Sequence, residues 1–93
     1  MSLIFEWDEE KERKNLRKHQ VDFFEAKTVF NDPFLLTFLD KKHSDDEIRF
    51  INIGMSEKAR ILIVVQTERE GVIRIISGRK ATKSEQSYYE KAN

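Results

Sequence analysis

Apolar positions along this chain change their period several times, and each change marks an element. Leu3-Ile4-Phe5-Glu6-Trp7 is a short run of strand character. Asp8 stands where an N-cap belongs, with Glu9 and Glu10 after it and Arg17, Lys18 and His19 eleven residues on at most. That spacing predicts a helix over Glu9–His19 whose charges suit the helix dipole. Glu9/Arg13 and Glu10/Lys14 fall at i,i+4 with the acid on the favourable side. Leu16 is the one apolar residue between Asp8 and His19, which predicts a surface helix with little share in the core. Asp22 and Glu25 have capping-box spacing and open a second helix, predicted over Phe23–Phe30 with Phe23, Ala26, Val29 and Phe30 as its stripe. Asn31-Asp32-Pro33 ends it, because the residue before proline is pushed out of the helical region.

Strand character then dominates. Phe34–Leu39 predicts a strand, Asp40–Glu47 a polar loop open to variation and motion, and Ile48–Ile53, Arg60–Glu68 and Val72–Arg79 three further strands. Gly54 to Ala59 separates the first two of these, and Arg69-Glu70-Gly71 makes a hairpin turn between the last two. The unbroken Ile61–Val65 run predicts a central strand covered on both faces. Thr82-Lys83-Ser84-Glu85 is a second capping-box pattern and starts a helix running to about Lys91. The order β-α-α-β-β-β-β-α predicts an α+β protein of two layers, with a four-stranded antiparallel meander.

Ninety-three residues suit a single domain over residues 1–93, and a chain of that size has surface enough to bury one core. There is no cysteine, so disulfides and thiolate metal sites are excluded, which suits a reducing cytoplasm. No apolar run approaches a membrane span, and the first residues lack the apolar core of a signal peptide. A soluble cytoplasmic protein is expected. The net charge is zero, yet residues 1–47 hold 12 acidic against 8 basic side chains and residues 48–93 hold 5 against 9. Such a dipolar chain can turn a basic face to phosphate, although ordinary solvated charge gives the same sums.

The candidate chemistry gathers in the basic half. An arginine inside an apolar strand is costly unless its charge meets an anion, so Arg74 and Arg79 point to a site that holds negative charge. Strict alternation sets Arg74 with Val72 and Ile76 on one face and Ser77 with Arg79 on the other, provided no bulge intervenes near Gly78. Arg74 serves equally well as a phosphate clamp or as the partner of a carboxylate such as Glu68 across the hairpin. Arg79 and Lys80 lie beside the helix start at Thr82, where unpaired N–H groups favour anion binding. His19 and His43 are the two histidines, and an imidazole can move protons near neutrality. His19, closing a charged helix, suits a structural role better, while His43 in its loop could reach a site. Nothing spaces them as zinc ligands. Of Tyr88 and Tyr89, about 100° apart on the last helix, at most one faces the sheet, and the other could stack on a base or give a proton. Glu85 reads as a cap and Trp7 as a core anchor. A serine-protease-like order, a phosphate-cradling glycine loop and a dinucleotide fingerprint are all missing, which argues against a nucleotide-dependent enzyme.

The ordered blocks Phe5-Glu6-Trp7-Asp8, Asn15-Leu16-Arg17-Lys18-His19, Val21-Asp22-Phe23-Phe24-Glu25-Ala26, Val29-Phe30-Asn31-Asp32-Pro33, Ile53-Gly54-Met55 and Val72 to Thr82 resemble the BrnT family. No single block is specific, but the ordered set spans nearly the whole chain. The resemblance implies a toxin of a bacterial type II toxin–antitoxin pair with a RelE-like fold. It further implies neutralisation by a BrnA-type antitoxin that itself binds operator DNA, so that DNA is met only through that complex. The implied chemistry is RNA cleavage without metal or cofactor, by attack of a 2′-hydroxyl on the adjacent phosphate of mRNA, free or on the ribosome. On the matching positions Arg79 would stabilise the developing charge, and Arg74 and Lys80 would hold flanking phosphates. Ser77, Arg69 and Tyr88 are further candidates, and Glu68, His43 or Tyr89 could transfer protons. Two positions depart from the family pattern: Gln66 stands where His is common, and Gly78 where Ala is common. Glutamine transfers no proton at neutral pH, so any role of that histidine is lost or moved. A partner-binding module of the same fold, weak in catalysis and acting as a corepressor with its antitoxin, is the rival expectation.

Overall fold

The structure is a computed structural model that describes residues 3–43 and 45–92. One mixed sheet of five strands runs in the order β1-β5-β4-β3-β2, built from β1 (Ile4–Glu6), β2 (Leu36–Leu39), β3 (Arg49–Met55), β4 (Ile61–Arg69) and β5 (Val72–Lys80). β2 to β5 pair antiparallel with their neighbours, while β1 lies parallel to β5, Ile4 opposite Val72 and Glu6 opposite Arg74. The sheet is therefore wider than a four-stranded meander and mixed in direction. The first strand is too short to announce a partner. It finds one because α1 (Glu9–His19) and α2 (Phe23–Thr28) carry the chain back across one face before β2 begins.

Local chemistry accounts for the helices. Asp8 accepts hydrogen bonds from the Glu10 and Lys11 amides, and Gln20, at φ 57°, closes α1 with its N–H on the Leu16 carbonyl. In α2, Asp22 accepts from the Glu25 amide, and the helix tightens into a 3-10 turn over Val29–Asn31 before Pro33, shorter than the apolar stripe suggests. At α3 (Lys83–Lys91), Thr82 and Glu85 complete the capping box reciprocally. Gly54 and Met55 continue β3 rather than forming a connection. A Cβ on Gly54 would lie 2.7 Å from Leu35 and 3.1 Å from the Val29 side chain, so only glycine lets this strand pass so close beneath the 3-10 turn.

Two cores lie on the two faces of the central strand β4. Under α1 and α2, Val21, Phe23, Ala26 and Val29 close on Leu62, Val64 and Ile75, flanked by Phe5 and Trp7. Beneath α3, Ile53, Ile63, Ala81 and Tyr89 form a smaller one. The inward residue of α1 is polar: Asn15 is buried while Leu16 is 46% exposed. Asn15 donates to the Val21 and Gly78 carbonyls, at 2.8 and 2.7 Å, and accepts from the Gly78 N–H at 3.1 Å. β1 ends opposite Arg74, so beyond that point no strand among the described residues lies on the outer side of β5, and the Asn15 amide pairs with it instead. A second pin is ionic. Glu25, 1% exposed, is held by the Arg60 guanidinium and by the Ser56 hydroxyl at 2.7 Å, which ties α2 to the β3–β4 connection. The Arg60 hydrogen bond is the main reason the Glu25 carboxyl sits below its ordinary range, despite burial acting the other way.

Candidate functional site

A bulge decides which side chains share the open face. Val65 lies opposite Ser77 and Gln66 opposite Ile75, so Ile76 is the extra residue in β5. The insertion resets the two-residue alternation. Arg74, Ser77 and Arg79 consequently project from the same face, contrary to the split that strict alternation predicts. This is also the face on which α3 packs, and α3 covers only one end of it. Beside the covered end opens a cavity of about 420 Å³. Its floor is apolar, from Ile51, Ile53, Ile63 and Val65, and its rim carries Ser77, Arg79, Glu85 and His19. His19 reaches this rim because α1 ends alongside the half of β5 that no strand covers.

Arg79 is fixed by a planar, bidentate pair. Its two terminal nitrogens donate to the two Glu85 carboxylate oxygens at 2.8 and 2.9 Å, and one also reaches the Lys80 carbonyl at 3.3 Å. Glu85 accepts the Thr82 amide as well, at 2.8 Å, so one carboxylate serves both as helix cap and as anchor for the guanidinium. The Arg79 hydrogen bonds, aided by the Thr82 amide and opposed by burial, bring the Glu85 carboxyl down to about 2. The same contact raises Arg79 further above its already high value. A guanidinium carries five N–H groups, so Arg79 keeps donors for a phosphate even while paired.

At the uncovered end of this face, arginines form a row across the strands. Arg49 lies opposite Thr67, and Thr67 opposite Arg74, with Arg69 two residues beyond Thr67 on β4. Glu47 bridges Arg69 at 2.9 Å and Arg49 at 3.3 Å, and Glu6 pairs Arg74 at 3.0 Å. The carboxylate facing Arg74 therefore comes from β1, and Glu68 points to the opposite face, where Gln66 approaches it at 3.5 Å. Lys80 alternates away from Arg79 into a separate hollow with Arg60, Gln86 and Glu90. Tyr89 is buried and donates its hydroxyl to Asp32, a placement that withdraws it from any ligand. Burial and that carboxylate push its hydroxyl up to about 12. Tyr88 is 54% exposed, with its ring 6.0 Å from Phe38 on the outer strand β2. His43 lies in a 3-10 turn over Lys41–His43, against Asp40 at 3.0 Å, away from the groove. Gln66 is buried on the helix-covered face, bonded to Asn52 at 2.9 Å, so it stands across the sheet from Arg79.

Of the residues read from the sequence, then, the structure joins Arg79 and Ser77 in the groove and sets Arg74 and Arg69 on the same face beyond it. Glu68, Lys80, His43, Tyr88 and Tyr89 stand elsewhere. Two rim residues, His19 and Glu85, read as structural in sequence. The capping-box spacing located the Glu85 carboxylate but hid its second contact, and nothing local signals that the end of α1 meets β5. Among the described residues, no group of three His, Asp or Glu side chains is placed to hold a metal ion, and no helix is long and apolar enough to cross a membrane.

Fold and groove together define a small α+β protein with a mixed five-stranded sheet, helices on both faces and a guanidinium-lined open side. Residues 7–85 match the family described as "Ribonuclease toxin, BrnT, of type II toxin-antitoxin system", and the chain belongs to that family. The crystal structure of the Brucella abortus ribonuclease toxin BrnT has the same fold, with a TM-score of 0.65 over 88% of this chain and 100% of that one, at 22% identity. No curated protein sequence matches.

Proposed function

We propose that this chain is an endoribonuclease toxin that cuts mRNA by attack of a 2′-hydroxyl on the adjacent phosphate, without a metal, in the cytoplasm. Membership of a family of type II ribonuclease toxins supports the class of activity. The observation that carries the site is Arg79, oriented at the groove rim by Glu85 with N–H groups to spare. In that place it would bind the non-bridging oxygens as negative charge builds on them in the transition state. Ser77 on the same rim would position the phosphate, and Arg74 and Arg69 would hold the strand where it leaves the groove. A RelE-like cleavage mechanism and neutralisation by a BrnA-type antitoxin over this face belong to the same proposal, with operator DNA contacted only by the antitoxin complex.

The decisive comparison is induction of the wild-type chain and Arg79→Ala in bacteria, following growth and total RNA integrity. Growth arrest with fragmented RNA is expected for the wild type and neither for soluble Arg79→Ala. A fully toxic Arg79→Ala would remove Arg79 from the mechanism. One observation favours a second reading, a catalytically weak module acting as corepressor with its antitoxin: Arg74 and Arg79 are both matched by carboxylates within the chain. Normal growth and intact RNA with confirmed soluble expression would select it.

A further inference from the structure

We propose that His19, at the end of α1, is the proton-transferring residue of the groove in RNA cleavage, an assignment that rests on the ribonuclease reading above. Among the described residues, the charged and titratable side chains lining the cavity are His19 from α1, Arg79 from β5 and Glu85 from α3. Arg79 stays protonated and can only donate. Glu85 is disqualified as a base by its contacts: both oxygens accept from Arg79, one also from Thr82, and its carboxyl sits at about 2. Among the described residues, none hydrogen-bonds the His19 ring, which leaves both ring nitrogens for a ligand. The other imidazole, His43, is engaged by Asp40 outside the cavity. An imidazole has one ring nitrogen that can accept a proton and a second that can donate one, which is the capacity the reaction asks of this position.

The reaction is balanced by one base and solvent. Neutral His19 takes the proton of the 2′-hydroxyl as the O2′–P bond forms, and Arg79 donates to the non-bridging oxygens. The P–O5′ bond then breaks, and the leaving 5′-oxygen takes a proton from water admitted by the open groove. The imidazolium returns its proton to the hydroxide so formed. The products are a 2′,3′-cyclic phosphate end and a 5′-hydroxyl end, with no net proton change.

The test uses the purified full chain with defined RNA, free and ribosome-bound, comparing wild type, His19→Ala and Arg79→Ala. The wild-type rate should rise with pH as a single base loses its proton and then level. His19→Ala should cut about a hundredfold more slowly or worse, lose that pH dependence, bind RNA as tightly and melt at an unchanged temperature. Added imidazole should restore part of its rate, which a purely structural histidine would not allow. A wild type that cuts while His19→Ala cuts as fast, or with the same pH profile, overturns the His19 assignment and leaves the ribonuclease reading standing. Cleavage absent from the wild type on both substrates overturns both.

Discussion

Asn15 does for β5 what a neighbouring strand would do, and its side chain is irreplaceable for a simple reason. A carboxamide presents a donor and an acceptor side by side, matching the N–H and C=O that Gly78 turns outward. Asn15→Leu leaves those groups and the Val21 carbonyl buried without partners, and should cost about 3 kcal/mol in urea unfolding. Asn15→Asp should be nearly as harmful, because it loses both donated bonds and sets a carboxylate against two carbonyls. At the site, Arg79→Lys keeps the charge but not the fork that grips Glu85. It should lower the cleavage rate tenfold or more while leaving RNA affinity within a few fold, as read by single-turnover rates and filter binding. Residue types alone pointed to Arg79, since a strand-end arginine beside a helix start needs an anion. They did not reveal that the anion in the free protein is Glu85, because Glu85 had a sufficient local role as a cap.

Elements meet through a few polar pins whose partners lie far apart in the chain. Glu25 and Arg60 are 35 residues apart. In sequence Glu25 reads as the second half of a capping box and Arg60 as the start of a strand, and the Glu25 carboxylate is bound by Arg60 and Ser56. Arg60→Met strands the Glu25 carboxylate in the core and should destabilise the fold by about 3–5 kcal/mol. Replacing both, with Glu25→Leu added, should recover much of that loss, as a double-mutant cycle in urea would measure. The contact of β3 with the 3-10 turn is steric rather than ionic. Gly54→Ala should cost about 1–3 kcal/mol, because the new methyl meets the Val29 side chain at 3.1 Å and its carbonyl at 3.3 Å. Helix starts were legible in sequence, since an N-cap is settled within three residues. The bulge at Ile76 was not. Nothing in Val72 to Lys80 says which residue the partner strand will skip, and that choice moves Arg74 from one face of the sheet to the other.

The molecule as a whole should weaken at both extremes of pH. Glu25 and Glu85 are held below the ordinary carboxylate range chiefly by Arg60 and Arg79. Burial pushes Asp32 up, but hydrogen bonds from Tyr89, Met55 and Phe34 outweigh it and leave it lowered too. Groups depressed by folding stabilise above their unfolded values and lose that contribution as protons bind, for Glu85 between 4.5 and about 2. Tyr89 works in the opposite direction: its hydroxyl is raised from 10.0 to about 12, so its contribution disappears as pH climbs through that interval. Melting temperature should therefore be flat from about pH 6 to 9 and fall on either side, and Tyr89→Phe should flatten the alkaline limb; a melting temperature insensitive to pH below 4 would contradict this. The sequence by itself determined the helix caps, the five apolar strands, the central place of β4 and the concentration of cations in the second half. Each of these follows from periodicity, propensity or local capping, which act within a few residues. Tertiary structure alone decided that β1 joins β5 in parallel, that Asn15 stands in for a strand, that a bulge gathers Arg74 with Ser77 and Arg79, and that His19 meets the groove. Those outcomes depend on which distant surfaces come together, and a side chain's chemistry does not encode its neighbours until the chain has closed around it.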